Sequence, residues 1–255
     1  MTHPQFQEPE EDTGRMTFIS HLGELRRRLM YVVAILLIAA LGSFSFAPEL
    51  FDILRKPLEN IPDASMIVLT PLEMFVTYLK LAVVAGIFLT TPWILIQLWL
   101  FIAPGLYQNE RRWLAPFVIL GSGFFCLGGA FSFYVVLPLG FEYLVQMVPD
   151  SVEATYSVGA YFSLVIRLLL AFGIVFELPL VMWILAAAGI TSPEFFATKR
   201  KYWIVVAVVL AAFFTPPDPF TQMLMAIPLV LFFELGILGA RILYRKRHEK
   251  PATDT

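Results

Sequence analysis

Between Leu29 and Ala47 the sequence carries no charged residue, and between Trp113 and Phe141 it again carries none. A helix needs about 20 consecutive apolar residues to cross about 30 Å of hydrocarbon, so each run is long enough for one crossing. Another run follows Lys80 and reaches Ala103. A further one follows Arg167 and reaches Ile190, interrupted only by Glu177. Two shorter runs, Tyr202 to Phe214 and Phe220 to Ala240, are separated by Thr215, Pro216, Pro217, Asp218 and Pro219. The runs are continuous rather than alternating at period two, which argues against transmembrane strands. The expectation is an all-α polytopic membrane protein with six transmembrane helices, the last two short. The spans fall at about 29–47, 76–103, 113–141, 161–190, 202–215 and 220–240.

Composition agrees. Of the 255 residues, 58% are hydrophobic and 15% charged, and the mean hydropathy is +0.75. Soluble domains usually carry about 25% charged residues. A net charge of −2 leaves no basic excess for a nucleic-acid partner. One cysteine excludes a disulfide framework or a thiolate zinc site within the chain. The first run is not a cleaved signal peptide, because an acidic cluster (Glu8, Glu10, Glu11, Asp12) precedes it. Residues 1–15 read as a disordered acidic N-terminus, 16–245 as one membrane domain and 246–255 as a cytoplasmic tail.

Charge fixes the expected orientation. Fourteen of the 18 Lys and Arg residues fall before the first run, in the loops after the second and fourth, or in the C-terminal tail. The opposite side holds only Arg55 and Lys56, while Lys80 and Arg167 sit at helix edges. Basic loops stay in the cytoplasm, so both termini are expected there. Length separates two halves. Pro71 to Ala103 is about 50 Å long as one helix, and Tyr202 to Phe214 only about 20 Å. Lys80 and Arg167 then mark the outer water boundary. The last two helices form either a compact hairpin packed on the others or a site of thinned membrane.

Glu177 is the costliest residue. It lies ten residues beyond Arg167, about 15 Å along a helix and near mid-membrane, where a carboxylate costs a few kcal/mol. Pro179 follows and frees a backbone carbonyl. Two readings stay open: a neutral acid bonded to a neighbouring helix for packing, or a polar site facing a water-accessible groove. Pro92 and Pro228 read as kink-makers. Thr215, Asp218 and Gln222 form a polar group where the short hairpin turns, with Asp218 and Thr221 as helix caps. Glu234 is placed to pair with a basic residue. No catalytic, cofactor or metal constellation is present. His3, His21 and His248 lie outside the runs, and there is no phosphate loop or nucleophile elbow.

On the cytoplasmic side, Met16 to Arg28 reads as an amphipathic helix, with Phe18, Leu22, Leu25 and Leu29 on one stripe. Glu24 pairs with Arg28 at i, i+4. After the second run, Pro104 and Gly105 break the helix and Glu110 stands beside Arg111 and Arg112. Glu24 and Glu110 could each receive a guanidinium in a forked, two-bond geometry.

Four motifs occur together and in order: His21-Leu22-Gly23-Glu24-Leu25-Arg26, Phe101 to Tyr107 with Glu110-Arg111-Arg112, Phe176-Glu177-Leu178-Pro179, and Thr215-Pro216-Pro217-Asp218. Together they resemble the TatC family, the multi-pass subunit of the twin-arginine protein translocase, over roughly residues 16 to 245. The resemblance implies a cupped, concave bundle in the bacterial cytoplasmic (inner) membrane. It implies binding of twin-arginine signal peptides of folded precursors. It also implies export with TatA- and TatB-type single-span subunits on the proton-motive force, and homo-oligomers within a receptor complex. The residues it implies for the signal-peptide site are Glu24, Glu110 and Phe101, with Arg26 in the same motif. It implies a sensitive outer-loop position at Pro57, a place for Glu177 in the concave face, and partner docking at Thr215 and Gln222. Gln108-Asn109 departs from the basic or histidine residues the family often has there. The competing class is a proton-coupled secondary transporter of a small solute using Glu177. It calls for broken helices at matching positions in two halves, and the sequence has no convincing internal repeat.

Overall fold

The computed structural model describes residues 13–59, 65–102, 114–149, 151–152, 155–187, 189–215 and 218–248. The chain begins with α1 (Thr13–Phe44), one unbroken helix. The expected amphipathic segment and the first span therefore share one axis, and the helix starts inside the segment expected to be disordered. Residues 1–12 of that segment, and 249–255 of the tail, lie outside the described residues.

The helix stops at a turn, where the Phe46 N–H donates to the Ser43 carbonyl at 3.0 Å. Pro48, which has no N–H to lose, then opens α2 (Ala47–Leu54). Next come α3 (Lys56–Glu59), with Pro57 buried, and β1 (Ser65–Ile67). The long α4 (Glu73–Ile102) contains Pro92. Just before that proline, the Thr90 and Thr91 hydroxyls donate one turn back to the carbonyls of Gly86 and Ile87 at 2.7 and 2.8 Å.

Leu114–Phe131 forms α5, which runs through a π turn, Ser132–Val136, into α6 (Leu137–Gln146). Pro138 explains the turn, because it lacks an amide and crowds the preceding carbonyls. The Leu137 N–H instead reaches back five residues to Ser132. After β2 (Thr155–Ser157) come α7 (Val158–Phe176) and α8 (Leu178–Ala187), broken only at Glu177 beside Pro179. Gly189 adopts φ 71, which only glycine enters freely, and ends α8 with the Ile190 N–H on the Leu185 carbonyl. Ser192 caps α9 (Pro193–Thr198). Glu194 there is held below the usual carboxylate range by its own amide, the Ser192 hydroxyl and the charge of Arg241. The chain closes with α10 (Arg200–Phe214) and α11 (Pro219–His248).

Among the described residues, five helical stretches are long and apolar enough to cross a membrane: α1, α4, α5 through α6, α7 through α8, and α11. The other expected span, α10, is an apolar helix of 15 residues, about 22 Å long. The two strands, absent from the sequence reading, pair parallel with Ser65 opposite Thr155. They tie the loop before α4 to the loop before α7.

The core sits on α7. Phe162, Val165 and Phe172 are fully buried against side chains from α2, α5, α10 and α11. Gly128 lets α5 approach closely, since a Cβ there would lie 2.4 Å from the Phe172 carbonyl oxygen. Small residues at such crossings let helix backbones touch in a lipid environment. By contrast α1 leans mainly on α4, and α10 mainly on α11. Both leave apolar side chains such as Leu41 and Phe213 exposed.

Candidate functional site

At the end of the bundle that carries the first described residues, α1 begins where α4 finishes. The rings of His21 and Phe101 stack there with centroids 4.4 Å apart. One turn along, Arg28 Nε donates to Glu24 Oε1 at 3.1 Å, and its Nη2 meets the same oxygen. Arg28 Nη1 also reaches Gln97 Oε1 at 3.4 Å. Gln97 is buried in α4. The pair expected from i, i+4 spacing therefore forms, and a buried amide on another helix steadies it.

Both contacts to Glu24 fall on one oxygen. Among the described residues, Oε2 of this partly exposed carboxylate accepts nothing. An incoming guanidinium needs such a free acceptor. Phe101 stacks on His21, three residues before Glu24 on α1. Arg26 is exposed and, two residues from Glu24, projects from the other side of the helix, so the two are not brought together. Glu110 lies outside the described residues, in 103–113.

Glu177 occupies the break between α7 and α8. Its N–H donates to the Ile174 carbonyl at 3.1 Å, and its own carbonyl accepts from Val181 at 3.0 Å. Both carboxyl oxygens are buried and have no hydrogen-bond partner among the described residues. Gly121 faces this carboxyl, with Leu95 and Leu180 beside the same glycine. A Cβ on Gly121 would lie 3.1 Å from Glu177 Oε2 and 2.6 Å from the Leu95 side chain. Gly121 thus leaves the volume that the carboxyl fills. Leu95 lies seven residues before the end of α4, and Gly121 seven after the start of α5, about 10 Å in each case. The acid sits closer to that end of the bundle than its distance from Arg167 suggests. Leu95 is two residues from Gln97, so α4 presents one side to the Glu24 pair and another to Glu177. The expected bond to a neighbouring helix is absent among the described residues.

The polar turn between α10 and α11 is bonded inward. Asp218 Oδ1 accepts from the Thr221 N–H at 2.8 Å, capping α11 as expected. The Thr215 hydroxyl donates to the Ala211 carbonyl at 2.8 Å, and Gln222 Nε2 donates to the Val208 carbonyl at 3.2 Å. Gln222 therefore clips the two helices together. Glu234 finds its basic partner in Arg200, at 2.6 and 2.8 Å in a two-bond fork.

Three residues escaped the sequence reading. Gln97 was signalled as the one amide in the run after Lys80. Gly121 was signalled by its seven-residue spacing from Gly128. Glu73 was signalled by the Thr70-x-x-Glu73 pattern of a capping box. Its carboxylate does more than cap α4: it accepts from the Leu69 and Thr70 amides at 2.5 and 3.2 Å, and from Ser157 Oγ and the Gly159 amide at 2.5 and 2.6 Å.

Known proteins resemble this chain in sequence and in fold. The sequence model of the family described as TatC, Sec-independent protein translocase protein, matches residues 20–228. A Sec-independent protein translocase protein TatC from Magnetococcus marinus is 43% identical over 238 residues, covering 92% of this chain and 88% of that one. Its counterpart from Escherichia coli K12 is 38% identical over 233 residues, covering 91% and 90%. A solved structure described as the twin arginine translocase receptor TatC superposes with a TM-score of 0.80 at 38% identity, covering 88% of this chain and 99% of that one.

Proposed function

The chain belongs to the TatC family of Sec-independent protein translocase proteins, and on that premise we propose that it is the signal-peptide receptor of a twin-arginine translocase. In this reading it is a multi-pass membrane protein with a transport role, not an enzyme. It spans the bacterial cytoplasmic membrane six times, with α10 as the short fifth crossing and both termini in the cytoplasm. The bundle is cupped, and residues 16–245 form its single membrane domain. Glu24 and Glu110 receive the two arginines of a signal peptide, and Phe101 packs beside them. TatA- and TatB-type subunits dock near Thr215 and Gln222. The chain works as several copies in a receptor complex and exports folded precursors on the proton-motive force. Pro57 shapes the outer loop.

One observation carries the reading: Glu24 is held in place by Arg28 and Gln97 next to the His21–Phe101 stack, with one carboxylate oxygen still free. The test is photo-crosslinking of a twin-arginine precursor to membranes carrying Glu24→Ala, Glu110→Ala or both. Crosslinking and export fall in each single variant and vanish in the double. Undiminished crosslinking in the double variant would sink the assignment. Glu177 contributes to translocation rather than to folding, because its buried carboxyl bonds to nothing among the described residues. Glu177→Gln then keeps protein abundance and lowers export. Loss of abundance alone gives the position to packing.

A further inference from the structure

At the end of the bundle that holds the strand pair, a second polar cluster lies outside the proposed receptor site. Lys80 on α4 and Arg167 on α7 are both exposed and converge on one residue, Ser163. Lys80 Nζ donates to Ser163 Oγ at 3.0 Å, and Arg167 Nε donates to the Ser163 carbonyl at 3.1 Å. A lysine has three N–H donors and an arginine five. The rest of both sets is uncommitted among the described residues.

Like charges side by side repel, so this pair needs an anion. Neither α4 after Glu73 nor α7 carries an acid. Glu73 stands at the rim of the same groove, but its oxygens already accept four hydrogen bonds. Among the described residues, no carboxylate lies within ion-pair distance of either cation. The groove they share measures about 560 Å³, and two turns inward of Arg167, on the same face of α7, Ile174 is exposed. A cation pair above exposed apolar helix surface matches a molecule with an anionic head and a hydrocarbon tail.

We propose that Lys80 and Arg167 bind the phosphate of an anionic phospholipid in the leaflet on the strand side of the bundle. The head phosphate takes the free N–H donors, and an acyl chain runs toward mid-membrane along the exposed flank of α7 past Ile174. This site is independent of signal-peptide recognition.

The test is native mass spectrometry of the full chain in detergent, titrated with phosphatidylglycerol. A cation at the membrane surface contributes about 1 kcal/mol towards an anionic lipid, about fivefold in affinity. Lys80→Gln and Arg167→Gln each weaken binding by about fivefold, and together by about thirtyfold. The charge-keeping pair Lys80→Arg with Arg167→Lys restores it. Singles and doubles are compared at equal helical content by circular dichroism, and the charge-keeping pair separates charge loss from misfolding. Two competitor arms fix the source of the phosphate. Phosphatidylcholine of the same chain length and millimolar inorganic phosphate both leave the bound phosphatidylglycerol in place. An unchanged affinity in the double Gln variant overturns the proposal. So does displacement by inorganic phosphate alone, which would make this a site for free anions.

Discussion

Glu73 and Glu177 are the same residue type at helix ends of one bundle, and they are treated in opposite ways. Four donors from two separate helix starts converge on Glu73. Glu177 stands at a helix break, where its carboxyl lies over Gly121 and bonds to nothing among the described residues. The first is a tie between α4 and α7. The second is a polar group kept at a cost to stability. A helix N-terminus offers unpaired amides and a favourable dipole for an anion. At the break α8 also starts beside Glu177, yet no amide among the described residues reaches its carboxyl. What decides the role of an acid here is whether donors come within reach of its carboxyl.

The largest effect is expected at the tie. Glu73→Ala strips the acceptor from both helix starts and lowers the thermal midpoint in detergent further than any other single change considered. Hydrogen exchange rises at the Leu69, Thr70 and Gly159 amides. A wild-type midpoint would remove the contrast at its stronger end. The opposite sign is expected at the break. Glu177→Leu replaces an unpartnered carboxyl with hydrocarbon and raises stability by about 1–3 kcal/mol, while export of a folded twin-arginine reporter falls. Were Glu177→Leu destabilising, both acids would be structural and the comparison would collapse.

Gly121→Ala probes the volume that admits the Glu177 carboxyl. The new methyl meets the flexible end of Leu95 first and the carboxyl second. The overpacking costs about 1 kcal/mol, measured by denaturant unfolding, and disappears in the Glu177→Ala background. The smallest effect is expected at a half-exposed ion pair. Glu234→Ala breaks the fork to Arg200 for about 0.2–1 kcal/mol. A larger loss would place that pair with Glu73 among the structural ties.

Residues close in sequence were legible. The Glu24–Arg28 pair and the Asp218 cap follow from spacings of four and three, which helix geometry turns into contact. The break at Glu177 followed from Pro179 beside a buried acid. Half of the Glu73 role was equally local, in the Thr70-x-x-Glu73 pattern. Its other half was not, since Ser157 and Gly159 lie 84 and 86 residues away. Gln97 supporting Arg28 spans 69 residues, and Arg200 with Glu234 spans 34. No periodicity encodes those pairings.

The sequence by itself determined a helical membrane protein and its expected orientation, because hydrophobic transfer and loop charge add up along the chain without reference to neighbours. It also marked the acids worth attention, because a carboxylate in an apolar run is costly wherever the run packs. Only the tertiary structure decided what each acid does. That depends on which helix ends, glycines and amides arrive beside it, and these come from distant segments whose meeting is set by packing around α7.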